Sequence, residues 1–499
     1  MNKPKHKLRN RKIFVFGLLL AILLGIWSLN QQRESDKIAE DRPKTQNNNG
    51  EASVSSDKED SNPKLSLQQR LSLGEKILIG ADNNPDKQLA AENFAVGNFS
   101  EAQLKFTNSL KTNFNDPEAS IYYNNALAAQ SNQIITIGVS VPIGGSLNVA
   151  KEILRGVAQA QHEINQQGGI EQNGIKNLVQ IQIANDDNDP EIAQAIAAQF
   201  VANPKIIGVV GHNSSDSSIA AAPIYQQGNL VMISPTSVAR KLSQAGSYIF
   251  RTTPSTRILA ETLAKYAASD INRQKIGVCL DSDSPASKSF QDEFALALFE
   301  LGGEIININC DFASPQFNPD EIPSRAIANG AEALLLIPSV NQINQALEVA
   351  RANQNRLVIL GNHSMYTYET LKVGQSDIKG IVLPTAWHPD VTSNSQYNTF
   401  ALKLWGMEGN WRTATAYDAT KALLYGLKTA TTREELQQTL INPGFTAPGA
   451  LGKINFKLSG DRQIDATLVK VQPGKASGTG YDFVPFNPSS LADNTKNSN

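Results

Sequence analysis

The sequence predicts an α/β protein of two doubly wound parallel-sheet lobes, with an N-terminal transmembrane helix and a small α-helical segment ahead of them. Three observations carry this. From residue 134 onward, short β-branched apolar runs alternate with segments of helical period, the pattern of βα units that cover a parallel sheet on both faces. The alternation lasts for about 340 residues, more than one core usually holds, so two lobes are expected. Residues 65–131, by contrast, place Phe94, Phe99, Ala102, Phe106 and Leu110 at helical spacing.

Taken in order, residues 1–12 form a basic tail with Lys3, Lys5, Lys7, Arg9, Arg11 and Lys12 and no acid. The uncharged run Ile13 to Leu29 follows, and this order predicts a cytoplasmic start with the rest carried across the membrane. An A-x-A-like cleavage pattern is not met at Gly25-Ile26-Trp27-Ser28, so 13–29 is expected to stay as a single-pass anchor, a cleaved signal peptide being the competing reading. No cysteine lies nearby to take a lipid. The implied location is a bacterial inner membrane, with the main domains facing the periplasm. Residues 30–64 are polar, lack apolar periodicity and read as a disordered linker.

Within 65–131, Gly97-Asn98-Phe99-Ser100-Glu101-Ala102 resembles the turn between the two helices of a tetratricopeptide repeat. Asp116-Pro117-Glu118 opens another helix, with proline in its first turn. The segment covers one such unit, and about three make a stable solenoid. It is either a docking module or a helical spacer packed on the main domain.

Strands are predicted at 134–141, 178–184, 206–210 and 230–234, then at 275–280, 304–308, 333–337 and 357–360. Helices are expected to begin near Asp189, Ser217, Thr256, Ser287, Asn341 and Thr413. The lobes divide as 134–254 (lobe 1), 255–385 (lobe 2), 386–450 (return to lobe 1) and 451–484 (final strands of lobe 2), with a disordered tail at 485–499.

In open parallel sheets, ligands collect beyond the carboxyl ends of strands. Three such ends are rich in small polar residues. After 206–210 comes Gly211-His212-Asn213-Ser214-Ser215-Asp216-Ser217-Ser218, where a helix begins and its free N–H groups favour an anion. One serine is enough to cap that helix, and the string holds more hydroxyls than a cap needs, so Ser214 and Ser215 are candidate ligand contacts. After 230–233 comes Ser234-Pro235-Thr236-Ser237, whose hydroxyls could grip the same ligand. The third loop, Val141-Pro142-Ile143-Gly144-Gly145-Ser146, allows close backbone approach but lacks P-loop spacing and its lysine, which argues against a nucleotide.

With Gly168-Gly169-Ile170, Asn185-Asp186-Asp187 and Phe250-Arg251-Thr252 in the same order, these loops give residues 134–472 a clear likeness. The region resembles the type I periplasmic binding proteins, in particular the branched-chain amino-acid-binding group. The resemblance implies two lobes joined by three crossovers that close on a ligand. It also implies that Ser215 and the backbone N–H of Ser237 hold the ligand's α-carboxylate, and that an ABC permease receives the cargo. Departures matter. Ala286 stands near the place of an expected aromatic, and His363 near that of the acid that pairs with the ligand's ammonium. Losing that acid removes a charge-assisted hydrogen bond, for which Asp281 or Asp283 could substitute. His363 and Tyr366 are candidate contacts, His363 being equally readable as a turn residue.

Other features exclude functions. The net charge is −2 with no basic stripe in the folded region, which argues against nucleic acid. Asp186-Asp187-Asn188-Asp189-Pro190 lacks the glycine and terminal glutamate of a calcium loop, and helix capping explains it better. No metal or other cofactor is expected. A hydrolase using Ser214 or Ser215 with His212 lacks a G-x-S-x-G elbow, so no enzyme is expected. Cys279 and Cys310 are either two small buried hydrophobes or a bridge. The expected function is capture of a small polar, amino-acid-like ligand for uptake, the alternative being a tethered sensor or scaffold that docks a partner through 65–131.

Overall fold

The computed structural model describes residues 65–391 and 395–487. The predicted basic tail, anchor and linker lie outside the described residues, as does the end of the chain from residue 488. No described helix is long and apolar enough to cross a membrane.

The strands are β1 (Leu71–Ser72), β2 (Ile134–Val141), β3 (Ile170–Gln172), β4 (Ile175–Asn185), β5 (Ile206–Val210), β6 (Val231–Ser234) and β7 (Ile249–Arg251) in lobe 1. Lobe 2 follows with β8 (Lys275–Leu280), β9 (Glu304–Asp311), β10 (Ala333–Ile337), β11 (Val358–Gly361) and β12 (Val382–Thr385). A hairpin, β13 (Ala447–Gly449) and β14 (Gly452–Ile454), precedes β15 (Thr467–Pro473) and β16 (Tyr481–Pro485). The lobe 1 sheet has the order β1-β4-β2-β5-β6-β7, with β3 paired to β4; the lobe 2 sheet has the order β16-β15-β12-β11-β10-β8-β9. From β4 to β7 and from β12 to β9 the neighbours run parallel, while β1, β3, β15 and β16 are antiparallel additions.

Both sheets are covered on both faces. Along β10, Leu334 and Leu336 pack into one apolar cluster, and Ala333, Leu335 and Ile337 into another. That is the period of two that a doubly covered strand requires. The return to lobe 2 comes later than expected: β14 still pairs with β13, and only β15 rejoins the second sheet. The predicted tail also starts too early, because Pro485 pairs with Val469.

The segment 65–131 forms helices Pro85–Ala95, Phe99–Thr112 and Pro117–Ala128. The first and third carry proline in the first turn and are capped by Asn84 and Asp116. These helices do not stand apart. Phe106, Ile121 and Tyr122 belong to the same core as β2 and β4. The Asn125 side-chain amide donates to the Ile181 carbonyl (2.7 Å) and its oxygen accepts the Ile181 N–H (2.8 Å). β1 extends the lobe 1 sheet beside β4. The segment is therefore built into lobe 1, which is how the structure differs from a free tetratricopeptide-like module.

Three crossovers join the lobes: after β7, after β12, and between β14 and β15. Arg251, at the end of β7, binds Asp461 of the third crossover at 2.6 Å and the carbonyls of Val238 and Ala239. Arg462 pairs with Asp418, both fully buried. Cys279 and Cys310 face each other on β8 and β9 and are joined by a disulfide.

Candidate functional site

A cavity of about 260 Å³ lies between the lobes. Nearly all of its lining comes from the carboxyl ends of parallel strands. Lobe 1 offers Asn188 after β4, residues 213–216 after β5 and Thr236 after β6; lobe 2 offers Asp281 and Asp283 after β8, residues 339–342 after β10, and His363 after β11. Trp411 and Arg412, at the start of helix Trp411–Gly426, complete it.

Ser214, Ser215, Thr236, Asp283 and His363 are brought together on this lining. Ser214 caps helix Ser215–Gln227, its Oγ accepting the Ser217 N–H at 3.1 Å. The Ser215 Oγ accepts from the Ala239 N–H at 3.2 Å, which leaves its own proton to donate. Thr236 donates its hydroxyl to the Asn213 carbonyl at 2.8 Å. Asp283 is exposed, and its N–H donates to the buried Asp281 carboxylate.

Ser234, Ser237 and Tyr366 do not line the cavity. The Ser234 hydroxyl donates to the His212 carbonyl at 2.8 Å. The Ser237 N–H donates to the Ser234 Oγ at 3.1 Å, and its hydroxyl sits 2.7 Å from that of Ser218. The N–H expected to hold a carboxylate is thus used inside the loop, and both serines stiffen it from below. Tyr366 packs on Phe483 with ring centroids 4.2 Å apart and stacks with His388. It packs against the apolar clusters of both lobes.

His363 is buried edge-on to Trp411, 5.8 Å between ring centroids. Burial, and then the neighbouring Arg412, push its pKa down to about 3, so the ring is neutral. It is not an exposed turn residue. Burial, and then the Asp281 charge, raise the Asp216 carboxyl to about 6. Arg412 is buried against Glu152 (3.3 Å) and the Tyr366 carbonyl (2.8 Å), with its guanidinium 4.4 Å from the Trp411 ring. Its charge is therefore already engaged.

Four buried polar atoms of the lining have no hydrogen-bond partner: Asp216 Oδ1, Gln342 Oε1, His363 Nδ1 and Trp411 Nε1. Buried polar groups left unpaired cost about 1–3 kcal/mol each. The cavity itself is lined by side chains of both donor and acceptor type from both lobes, which suits a small molecule carrying both kinds of polar group.

Asp216, Gln342, Trp411 and Arg412 were not singled out from the sequence. Asp216 was hidden inside the serine string. The only local signal for Trp411-Arg412 was Asn410, which caps that helix by accepting from the N–H groups of Arg412 and Thr413. The remaining motifs are structural. Asp189 caps helix Pro190–Ala202, and no group of potential metal ligands occurs among the described residues. His212 is held by Asp186 (2.6 Å) and the Tyr225 hydroxyl (3.1 Å), with no nitrogen left to serve a serine as base.

Two βα sheets, three crossovers and a polar cleft at the strand ends define a two-lobed binding protein. A family model described as periplasmic binding protein matches residues 134–477, and the chain belongs to that family. It is similar to a Leu/Ile/Val-binding protein of Rhizobium johnstonii, 24% identical over 70% of this chain and 95% of that one. Among solved structures, a leucine-binding protein of Thermotoga maritima superposes with a TM-score of 0.62 at 20% identity, covering 72% of this chain and 100% of that one. A substrate-binding protein of an ABC transporter from Desulfitobacterium hafniense, in complex with Leu, gives 0.60 at 23% identity, over 70% of this chain and 100% of that one. The structural likenesses establish the fold. The chain is a binding protein and not an enzyme.

Proposed function

We propose that this protein captures a small, polar, amino-acid-like ligand outside the cytoplasm and delivers it to an ABC-type permease, held at the membrane by residues 13–29. The carrying observation is the interlobe cavity lined by polar side chains of both lobes at the carboxyl ends of their strands. A ligand held by side chains of both lobes draws the lobes together on itself. Relatives named for binding leucine, isoleucine and valine support the amino-acid class. The Ser215 hydroxyl supplies the polar grip, and Asp281, Asp283 and His363 line the side of the other lobe.

Ligand that binds only the folded form raises stability by about 2.7 kcal/mol at a hundred times Kd. A thermal-shift screen of amino acids, amides, ureas and small carboxylates should therefore find compounds that raise Tm. A screen without a single stabiliser would sink the proposal. The anchor is tested by fractionation: the full chain should pellet with membranes, and a chain starting at residue 30 should not.

A second reading, a sensor that docks a partner through 65–131, has one supporting observation. Leu89, Val96 and Leu104 are exposed on that helical segment. Changing the three to glutamate should leave ligand binding intact on either reading, and should abolish recovery of a signalling partner only on this one.

A further inference from the structure

We propose that the lobe 2 wall of this cleft selects its ligand by hydrogen bonding, so that the chain takes small molecules with a side-chain hydroxyl or carboxamide and rejects their aliphatic isosteres. The proposal rests on the reading of this cleft as the solute site. It names which members of the amino-acid-like class that site accepts.

The wall is built where the chain leaves β10 and β11. Pro338 follows β10, and a single 3-10 turn, Val340–Gln342, leads into helix Ile343–Asn353. Ser339 and Gln342 stand at the cap positions of that turn and that helix, yet neither side chain makes a capping bond. The Ser339 hydroxyl and the Asn341 and Gln342 amides line the cavity and have no hydrogen-bond partner among the described residues. Ser364, just after β11, gives an independent sign. It is only 7% exposed and lines the cavity, and its hydroxyl is unpaired among the described residues without being sealed from solvent as Gln342 Oε1 is. The Asn362 amide donates to the Pro338 carbonyl at 3.0 Å, which ties the two loops together and holds these groups in place before a ligand arrives.

Lobe 1 differs, because its lining groups are largely engaged with one another. The Ser214 hydroxyl donates to Ser217, that of Thr236 to the Asn213 carbonyl, and the Asn213 amide to Asn188. Apolar wall is scarce. Among the lining residues only Ala286, Val340 and Trp411 are apolar, and Arg412 lies over the Trp411 ring at 4.4 Å while His363 packs against it.

An isobutyl or isopropyl group laid on this wall strips water from several donors and acceptors and gives none of them a partner. Leaving two such groups unpaired costs about as much as burying one such alkyl group gains, and the wall presents four. A hydroxyl or carboxamide of the same shape restores the bonds. A site built to hydrogen-bond a ligand group also rejects the analogue lacking it far more strongly than an apolar pocket rejects an added hydroxyl.

The test is calorimetry on the full purified chain with isosteric pairs. Asparagine with leucine, threonine with valine, and lactamide with isobutyramide are the starting pairs, and each stabiliser from the thermal-shift screen is paired in the same way. In every pair that binds, the polar member should be tighter by about 10-fold or more. A smaller advantage, or tighter binding of the aliphatic member, would overturn the proposal and leave the solute-site reading standing. A screen without any stabiliser removes both. Ser364→Ala, and Asn341→Leu at an exposed position, should each narrow the affinity ratio of the best pair by about 3- to 10-fold. The Tm of the unliganded variants reports that they fold. Folded variants that keep the parent's ratio would overturn the assignment to this wall, and Asn341→Leu decides should Ser364→Ala fail to fold.

Discussion

Asp216 gives the cleft a pH response as well as a charge. Its carboxyl is held up to about 6, so folding into this arrangement favours its protonated form. Asp281 and Asp283 from the loop after β8, His363 after β11 and Arg412 from helix Trp411–Gly426 are the titratable or charged groups on the same lining. His363 stays neutral down to about 3 and Arg412 is paired, so neither reverses the sign. The stability that Asp216 contributes to the fold is then full below its ordinary 3.8 and lost as pH rises through about 6. The gain in Tm of ligand-free Asp216→Asn over the parent should therefore be larger near pH ~7.5 than near ~4.5 in calorimetry; an equal gain at both would contradict this. The serine loop could be located from sequence because hydroxyls gathered at a strand end are visible locally. Which hydroxyl faces the cavity could not. Ser215 and Ser237 look alike as letters, and only the fold shows that Ser237 spends its donors inside the loop. Trp411 and Arg412 were missed because they arrive from a distant helix, with nothing local to mark them.

The helical segment shows the same limit among elements. Its helices follow from apolar spacing and the Asp116-Pro117 start, but their place on lobe 1 depends on long-range partners. Lys87 is fully buried between Asp116 (2.6 Å) and Glu118 (2.8 Å), and Glu118 also accepts from the N–H groups of Leu78 and Ile79. Lys87→Met leaves two buried acids without a cation and should cost about 3–5 kcal/mol. Urea denaturation should show this as a lower midpoint, with loss of less than about 1 kcal/mol contradicting it. The disulfide pins the edge strand β9 to β8 across a separation of 31 residues. Loop-closure entropy puts that constraint at about 3–4 kcal/mol. Cys279→Ser with Cys310→Ser should therefore lower Tm clearly, as calorimetry would show.

On the scale of the molecule, the two-lobed plan was legible because it repeats: each βα unit restates the same apolar period, so no single misplaced boundary changes it. The order of segments was less so, since β13 and β14 belong with lobe 1 although they follow its last long helix. Residues 65–131 cover the face of helix Leu147–Gln166 and lie beside β4. A chain beginning at residue 132 should thus be insoluble or melt far lower than the parent. An unchanged Tm would instead mark 65–131 as a separable module. The disulfide has one more consequence, for how the protein is made. Cys279 lies two residues before Asp281, so the bond that secures the sheet edge also steadies one wall of the cleft. Material produced in a reducing cytosol would carry two free thiols per chain, and the thiol count of a batch reports the fraction that lacks this brace.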